Sequence, residues 1–196
     1  MDNAEIYMSE KESLQLIASM INKAKNRVTE TGTMYLMWGW LILICCLVQF
    51  IALHFFNYAN AYYVWFSTWL LLIYQIFYLG KKRKSRKVRT YTGEINGFVW
   101  LVFFICLMLT VFIGIQFKRY EMIDPLLLVL YGMPTFLSGI ILKFKPLVIG
   151  GISCWLLAVV SVFLPTEYQL LCIAGAVIFA WIVPGYLLKA NFKKEN

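Results

Sequence analysis

Apolar and polar residues are segregated along this chain into long blocks. Six stretches of 18 to 21 residues contain no Asp, Glu, Lys, Arg or His, and every charge lies outside them. At ~1.5 Å rise per helical residue each stretch covers ~27–32 Å, the thickness of a bilayer's hydrocarbon core. The pattern predicts six membrane-spanning helices, at 34–53, 61–79, 97–117, 125–142, 146–164 and 168–188. Pro125 and Pro146 fall at expected first-turn positions, where a missing N–H costs nothing, while Gly80 and Pro165 read as the ends of the second and fifth helices. The fourth loop is only Lys143-Phe144-Lys145 and the fifth only Pro165-Thr166-Glu167. Links this short make neighbouring helices antiparallel. The expected fold is therefore all-α: three antiparallel hairpins packed into one bundle.

Charge orients the bundle. One side collects the N-terminal segment (Lys11, Lys23, Lys25, Arg27) and the second loop (Lys81, Lys82, Arg83, Lys84, Arg86, Lys87, Arg89). To these it adds the fourth loop (Lys143, Lys145) and the C-terminal tail (Lys189, Lys193, Lys194), which makes 16 cations against only Lys118 and Arg119 on the other side. By the positive-inside bias both termini face the cytoplasm. The net charge of +8 is thus mostly topology, not a nucleic-acid footprint. Aromatics agree: Tyr35, Trp38, Tyr78, Phe98, Tyr186 and Phe192 fall near the inner interface, and Tyr58, Tyr62, Tyr63, Tyr120 and Tyr168 near the outer one. Composition adds a limit. With roughly 120 of 196 residues in the membrane, the sequence reads as one helical domain (34–188) between a cytoplasmic segment (1–33) and a basic tail (189–196), with no soluble catalytic domain. It shows no cleavable leader, lipoprotein-type cysteine or prenylation box.

The segment 9–28 predicts an amphipathic helix ahead of the first span. Ser9 and Glu12 have capping-box spacing, and Leu14, Ile17, Ile21 and Val28 share one face. Its acidic residues come early and its basic ones late, which suits the helix dipole and a helix lying on an anionic inner leaflet. The run K-K-R-K-S-R-K-V-R at 81–89 is the densest charge in the chain. At ~1 kcal/mol per cation it would hold tightly to anionic headgroups. It has no interleaved aromatic, which disfavours single-stranded nucleic acid.

Within the spans, ionisable groups are missing, so proton relays and intramembrane catalysis have no candidates. Five cysteines (Cys45, Cys46, Cys106, Cys154, Cys172) sit in apolar runs without C-x-x-C spacing and read as packing residues. His54 reads as an outer-interface residue, and Glu121, Asp124 and Glu167 as solvated loop charges on that face. No Ser–His, Cys–His, H-E-x-x-H or paired-carboxylate pattern occurs, so no enzyme activity, metal or cofactor is expected. Thr110/Gly114, Thr135/Gly139 and Cys172/Ala176/Ala180 are small residues at fourfold spacing, suited to close helix packing inside the bundle or in a homo-oligomer. Pro134 and Pro184 each follow a matching pattern, Tyr131-Gly-Met-Pro134 and Trp181-Ile-Val-Pro184. Each frees a carbonyl one turn earlier, and paired broken helices mark binding sites in some transporters. Mid-span Trp155, whose indole N–H needs a partner, joins them as a candidate pocket or hinge.

The chain resembles the small six-helix membrane proteins that bacterial genomes encode in quantity, in its capped N-terminal helix, single basic loop and tight hairpins. That resemblance implies the bacterial inner membrane and no particular activity. The expected function is non-catalytic: a basic cytoplasmic face, made by 9–28 and 81–89, offered to anionic lipid headgroups or a cytoplasmic protein partner. The alternative is a small transporter or channel-like subunit for a neutral or amphipathic solute, with a pocket near Pro134, Trp155 and Pro184. Topology is directly testable. In a chain cleared of native cysteines, Asn60→Cys should react with an impermeant maleimide from outside intact cells, and Ser85→Cys only after permeabilisation. The reverse pattern would invert the assignment.

Overall fold

A backbone surrounded by hydrocarbon satisfies its amides only within its own helix or a closed barrel, and every regular element among the described residues is helical. The computed structural model describes residues 10–58, 60–84 and 91–194, with side chains described within 32–190 apart from 59, 79 and 81–92. The order is α1 (Glu10–Phe56), a 3-10 turn (Ala61–Trp65), α2 (Phe66–Lys84), α3 (Tyr91–Gln116), α4 (Tyr120–Ile141), α5 (Lys145–Val162), α6 (Thr166–Val177), a π-turn (Ile178–Ile182) and α7 (Val183–Lys194). Five segments are long and apolar enough to cross a bilayer: Gly32–Phe56, Gly93–Gln116, Tyr120–Ile141, Lys145–Val162 and Thr166–Ala190. The second expected span, 61–79, is divided between the 3-10 turn and α2.

Several boundaries move. The segment 10–28 is not a separate helix, because α1 continues through it into the first span as 47 residues, ~70 Å of helix. No proline interrupts it. The capping residue Ser9 and the stripe side chains Leu14, Ile17, Ile21 and Val28 lie outside the described residues. Gly80 does not end α2, which runs on to Lys84. Nor does the helix stop at the expected tail, since α7 reaches Lys194. Pro125 lies inside α4 rather than in its first turn, since the helix begins at Tyr120. Glu121 and Asp124 are therefore helical residues. Asp124 is half-buried, not a solvated loop charge. Pro146 does open α5 as expected.

The core is built by α1, α4, α5 and the α6–π–α7 segment. Cys46, Leu128, Leu147, Cys154, Ile173, Ala176 and Val177 are fully buried there. All five cysteines are free, and Cys106 alone is not fully buried. The peripheral helices are different. No residue of α3's most apolar window is buried, and α3 packs along α4. The 3-10 turn and α2 meet α1 at polar groups: Trp38 Nε1 donates to Gln75 Oε1 at 2.6 Å, Trp65 Nε1 donates to Gln49, and Cys45 Sγ lies 3.2 Å from Ser67 Oγ. The outward residues of α2, such as Leu70 and Phe77, are exposed, as befits a surface facing lipid as apolar as they are. At the outer end, His54 Nδ1 of α1 lies 3.2 Å from Glu167 Oε2 of α6, both side chains exposed.

Glycines set how closely the core helices approach. A Cβ on Gly150 of α5 would stand 2.6 Å from the Ala180 Cα and 2.8 Å from the Phe179 carbonyl oxygen of the π-turn. Backbone cannot move aside as a side-chain tip can. We expect Gly150→Ala to lower stability by about 1–3 kcal/mol, the range for overpacking. Gly97→Ala, with open space around its Cβ, should shift it by no more than ~1 kcal/mol. Unfolding in mixed micelles measures both. Equal effects would show that the α5–π-turn contact is not tight.

Candidate functional site

The chain's last span changes helix type in mid-course. Pro184 has no N–H, so the Ala180 carbonyl one turn earlier loses its usual partner. The backbone answers with a π-turn just before it, in which the Val183 N–H reaches back five residues to the Ile178 carbonyl. Such turns are rare and concentrate at functional sites. Here Ala180, Trp181 and Ile182 are all buried, as is Pro184. The widened turn lies between α1 and α5. A Cβ on Gly39 would come within 2.8 Å of Ile182 Cγ1, and Gly150 abuts Ala180 from the other side.

Trp181 connects this turn to α4. Its Nε1 donates to Thr135 Oγ1 at 2.9 Å, and the Thr135 hydroxyl donates to the Tyr131 carbonyl at 2.7 Å. Thr135 directly follows Pro134, which is buried and interrupts the α4 ladder by the same mechanism as Pro184. The aromatic residues that open the two matching patterns pack on each other, with the Tyr131 and Trp181 rings 4.9 Å apart at 48°. Two proline patterns separated in sequence thus meet in space.

Three more rings enlarge the cluster. Trp100 of α3 lies 6.0 Å from Trp181 and 5.4 Å from Phe103, Phe103 is 5.8 Å from Tyr131, and Tyr35 of α1 meets Trp100 edge-on at 5.7 Å. Pairs of this kind contribute about 0.5–1.5 kcal/mol beyond area burial. Trp100 Nε1 donates to Ser138 Oγ at 3.3 Å, and Ser138 Oγ donates to Asn96 Oδ1 at 2.7 Å. Tyr35 belongs to this cluster rather than to an interfacial belt: it is 4% exposed, and its hydroxyl lies beside Ser138 and Trp100. The polar atoms gathered here are indole N–H groups, hydroxyls and an amide, none of which accepts or releases a proton readily near neutrality. They hold helices in register.

Trp155 stands apart from that cluster. Its Nε1 donates to the Val129 carbonyl of α4 at 3.2 Å, and its ring lies 5.3 Å from Phe136. It covers Gly132, where any side chain would collide with the indole. Pro134 has a second environment: with Leu130, Met133 and Leu137 it forms one wall of a groove of about 380 Å³, whose other wall is α3 (Ile95, Phe98, Val99, Val102, Phe103, Cys106). Neither Trp155 nor Pro184 lines that groove. Of the basic candidates, Lys81, Lys82, Arg83 and Lys84 lie on the last turn of α2, with side chains outside the described residues. Arg86, Lys87 and Arg89 lie wholly outside them.

Sequence reasoning named Trp155 and the two prolines but missed Tyr35, Asn96, Trp100 and Ser138 as partners in one cluster. The repeated aromatic-x-x-Pro pattern was the available signal, and it marked Tyr131 and Trp181. The fold defines the class: a helical-bundle integral membrane protein with five helices able to cross a bilayer. Comparison with protein-family models, with curated proteins and with solved structures finds no match to this chain.

The Trp181–Thr135 bond can be measured. A double-mutant cycle of Trp181→Phe and Thr135→Val should give a coupling of ~0.6–1.7 kcal/mol, the range for hydrogen bonds between membrane helices. Strict additivity would show that the bond contributes nothing to joining α4 and the π-turn.

Proposed function

We propose that this chain is a non-catalytic integral protein of the bacterial cytoplasmic membrane, with six spans in three hairpins and both termini inside. It presents a basic cytoplasmic face, formed by the N-terminal part of α1 and the run 81–89, to anionic lipid headgroups or a cytoplasmic protein partner. One observation carries the reading: 16 of 18 Lys and Arg fall on one side of the apolar segments. A sixth span is supported by length. The 3-10 turn contributes ~10 Å at ~2 Å per residue, and residues 66–79 of α2 ~21 Å, enough together for a hydrocarbon core. The cations Lys81–Lys84 on the last turn of α2 lie at the negative end of its dipole. The pairing of His54 with Glu167 puts the end of α1 and the start of α6 at one end of the bundle, in keeping with that topology.

The second reading is a small transporter or channel-like subunit for a neutral or amphipathic solute. What favours it is the meeting of the two proline-interrupted helices through Thr135 and Trp181, because discontinuous helices form the substrate sites of several transporters. The two readings separate on mutation. The chain is extracted gently from native membranes, and whatever co-purifies is identified. Replacing Lys81, Lys82, Arg83, Lys84, Arg86, Lys87 and Arg89 by Gln should remove most co-purifying anionic lipid or a stoichiometric protein partner, while Pro134→Ala should leave them in place. A small solute that survives neutralisation of the run and disappears with Pro134→Ala would overturn the proposal in favour of transport.

A further inference from the structure

The α3–α4 groove is lined by side chains that carry no charge. On α3 its lining residues Ile95, Val99, Val102 and Cys106 form one stripe, ~16 Å long at helical rise. That is about half of a ~30 Å hydrocarbon core, the depth of a single leaflet. With both termini inside, α3 runs outward from Tyr91 and α4 runs inward to Ile141, so the groove occupies the inner leaflet and stops near the membrane's middle.

The two helices are joined at two points along their seam. Near the inner end, Ser138 of α4 is bonded to both Asn96 and Trp100 of α3. Near the outer end, Gly114 of α3 admits Ile123 of α4, whose Cγ1 would lie 2.5 Å from any Cβ there. Alongside the inner contact the outward side of the seam stays open. Phe98, Val102, Met133 and Leu137 are all exposed along it. Its walls consist of aliphatic and aromatic side chains, one proline and one cysteine. Such a lining suits a methylene chain and offers nothing to orient a polar solute.

Charge marks the inner mouth. Lys143 follows Leu137 by six residues on the α4 side. Lys143 and Lys145 are exposed at the α4–α5 turn, where Lys143 adopts φ 52°. Glu94, the acid at this end of α3, is already engaged within the chain. We propose that the groove holds one acyl chain of an inner-leaflet anionic phospholipid, with its phosphate at Lys143 and Lys145. The assignment rests on the orientation proposed above, but it concerns different residues from the run 81–89.

The test uses the full chain reconstituted in equal parts phosphatidylglycerol and phosphatidylcholine, extracted gently and weighed by native mass spectrometry. One retained phosphatidylglycerol per chain is expected. Met133→Trp and Val102→Trp each place an indole in the groove and should lose that lipid. Val102 lies on the exposed face of α3 and serves if the Met133 variant does not fold. A joint Lys143→Gln and Lys145→Gln change should keep a lipid but erase the preference for the anionic headgroup, by about fivefold per lysine. Unchanged retention in the folded tryptophan variants, or an unchanged preference in the lysine variant, overturns the assignment. A chain with the run 81–89 neutralised distinguishes the two proposals. If it keeps this single lipid and every other co-purifying component, the basic-face reading fails and the groove stands; if only the groove variants are silent, the groove fails and that reading stands.

Discussion

Hydrocarbon offers no hydrogen bond to a polar group, and apolar side chains gain little by leaving lipid for protein. Together these conditions decide how this chain folds. The first makes the backbone helical and forces local repairs wherever a helix is interrupted, as at the π-turn before Pro184. The second removes the force that would draw helices together in water. What selects neighbours is then the need of each buried donor for an acceptor and the close approach that small residues allow. Six of the seven tryptophans show the first effect. The N–H groups of Trp38, Trp40, Trp65, Trp100, Trp155 and Trp181 donate to Gln75, Tyr186, Gln49, Ser138, the Val129 carbonyl and Thr135. Every one of these bonds crosses from one helical element to another.

The same physics explains the unequal packing of the six expected spans. The segment from α6 through α7 carries small residues on its inward faces, with Ala176 and Ala180 fully buried, and it lies between α1 and α5. Gly132 and Gly139 let α4 settle on α5, against Trp155 and Val148. The third helix has Gly114 near its outer end and the bonds of Asn96 and Trp100 to Ser138 near its inner end. The groove lies alongside the inner of these contacts. Large exposed residues on α2 and α3 need no protein partner, since acyl chains satisfy them.

Function follows from where polar chemistry remains available. Inside the bundle, indoles and hydroxyls are committed to one another, and the proline-linked cluster of Tyr35, Trp100, Phe103, Tyr131 and Trp181 is packed ring on ring. The Tyr35 hydroxyl lies beside the Trp100–Ser138 pair that joins α3 to α4. Outside the apolar segments the sequence concentrates its cations on the side expected to be cytoplasmic, and the proposed lipid or partner role rests on that surplus.

Much of this was legible in the amino-acid order. Block hydrophobicity alone specifies helices long enough to span, because the length of an uncharged run is a local property measured against a fixed bilayer thickness. Charge asymmetry likewise gives an expected orientation. Helix ends were less legible. Tyr120 to Asp124 extend α4 beyond its expected start, and α2 passes Gly80, because helices continue past the apolar run wherever no residue forbids it. The candidate site was half visible. Pro134 and Pro184 announce themselves by chemistry, but that Tyr131 meets Trp181, and that Trp155 turns instead to Val129, depends on residues brought together from opposite parts of the chain. An indole signals that it needs an acceptor. Only the packed bundle decides which acceptor comes within reach.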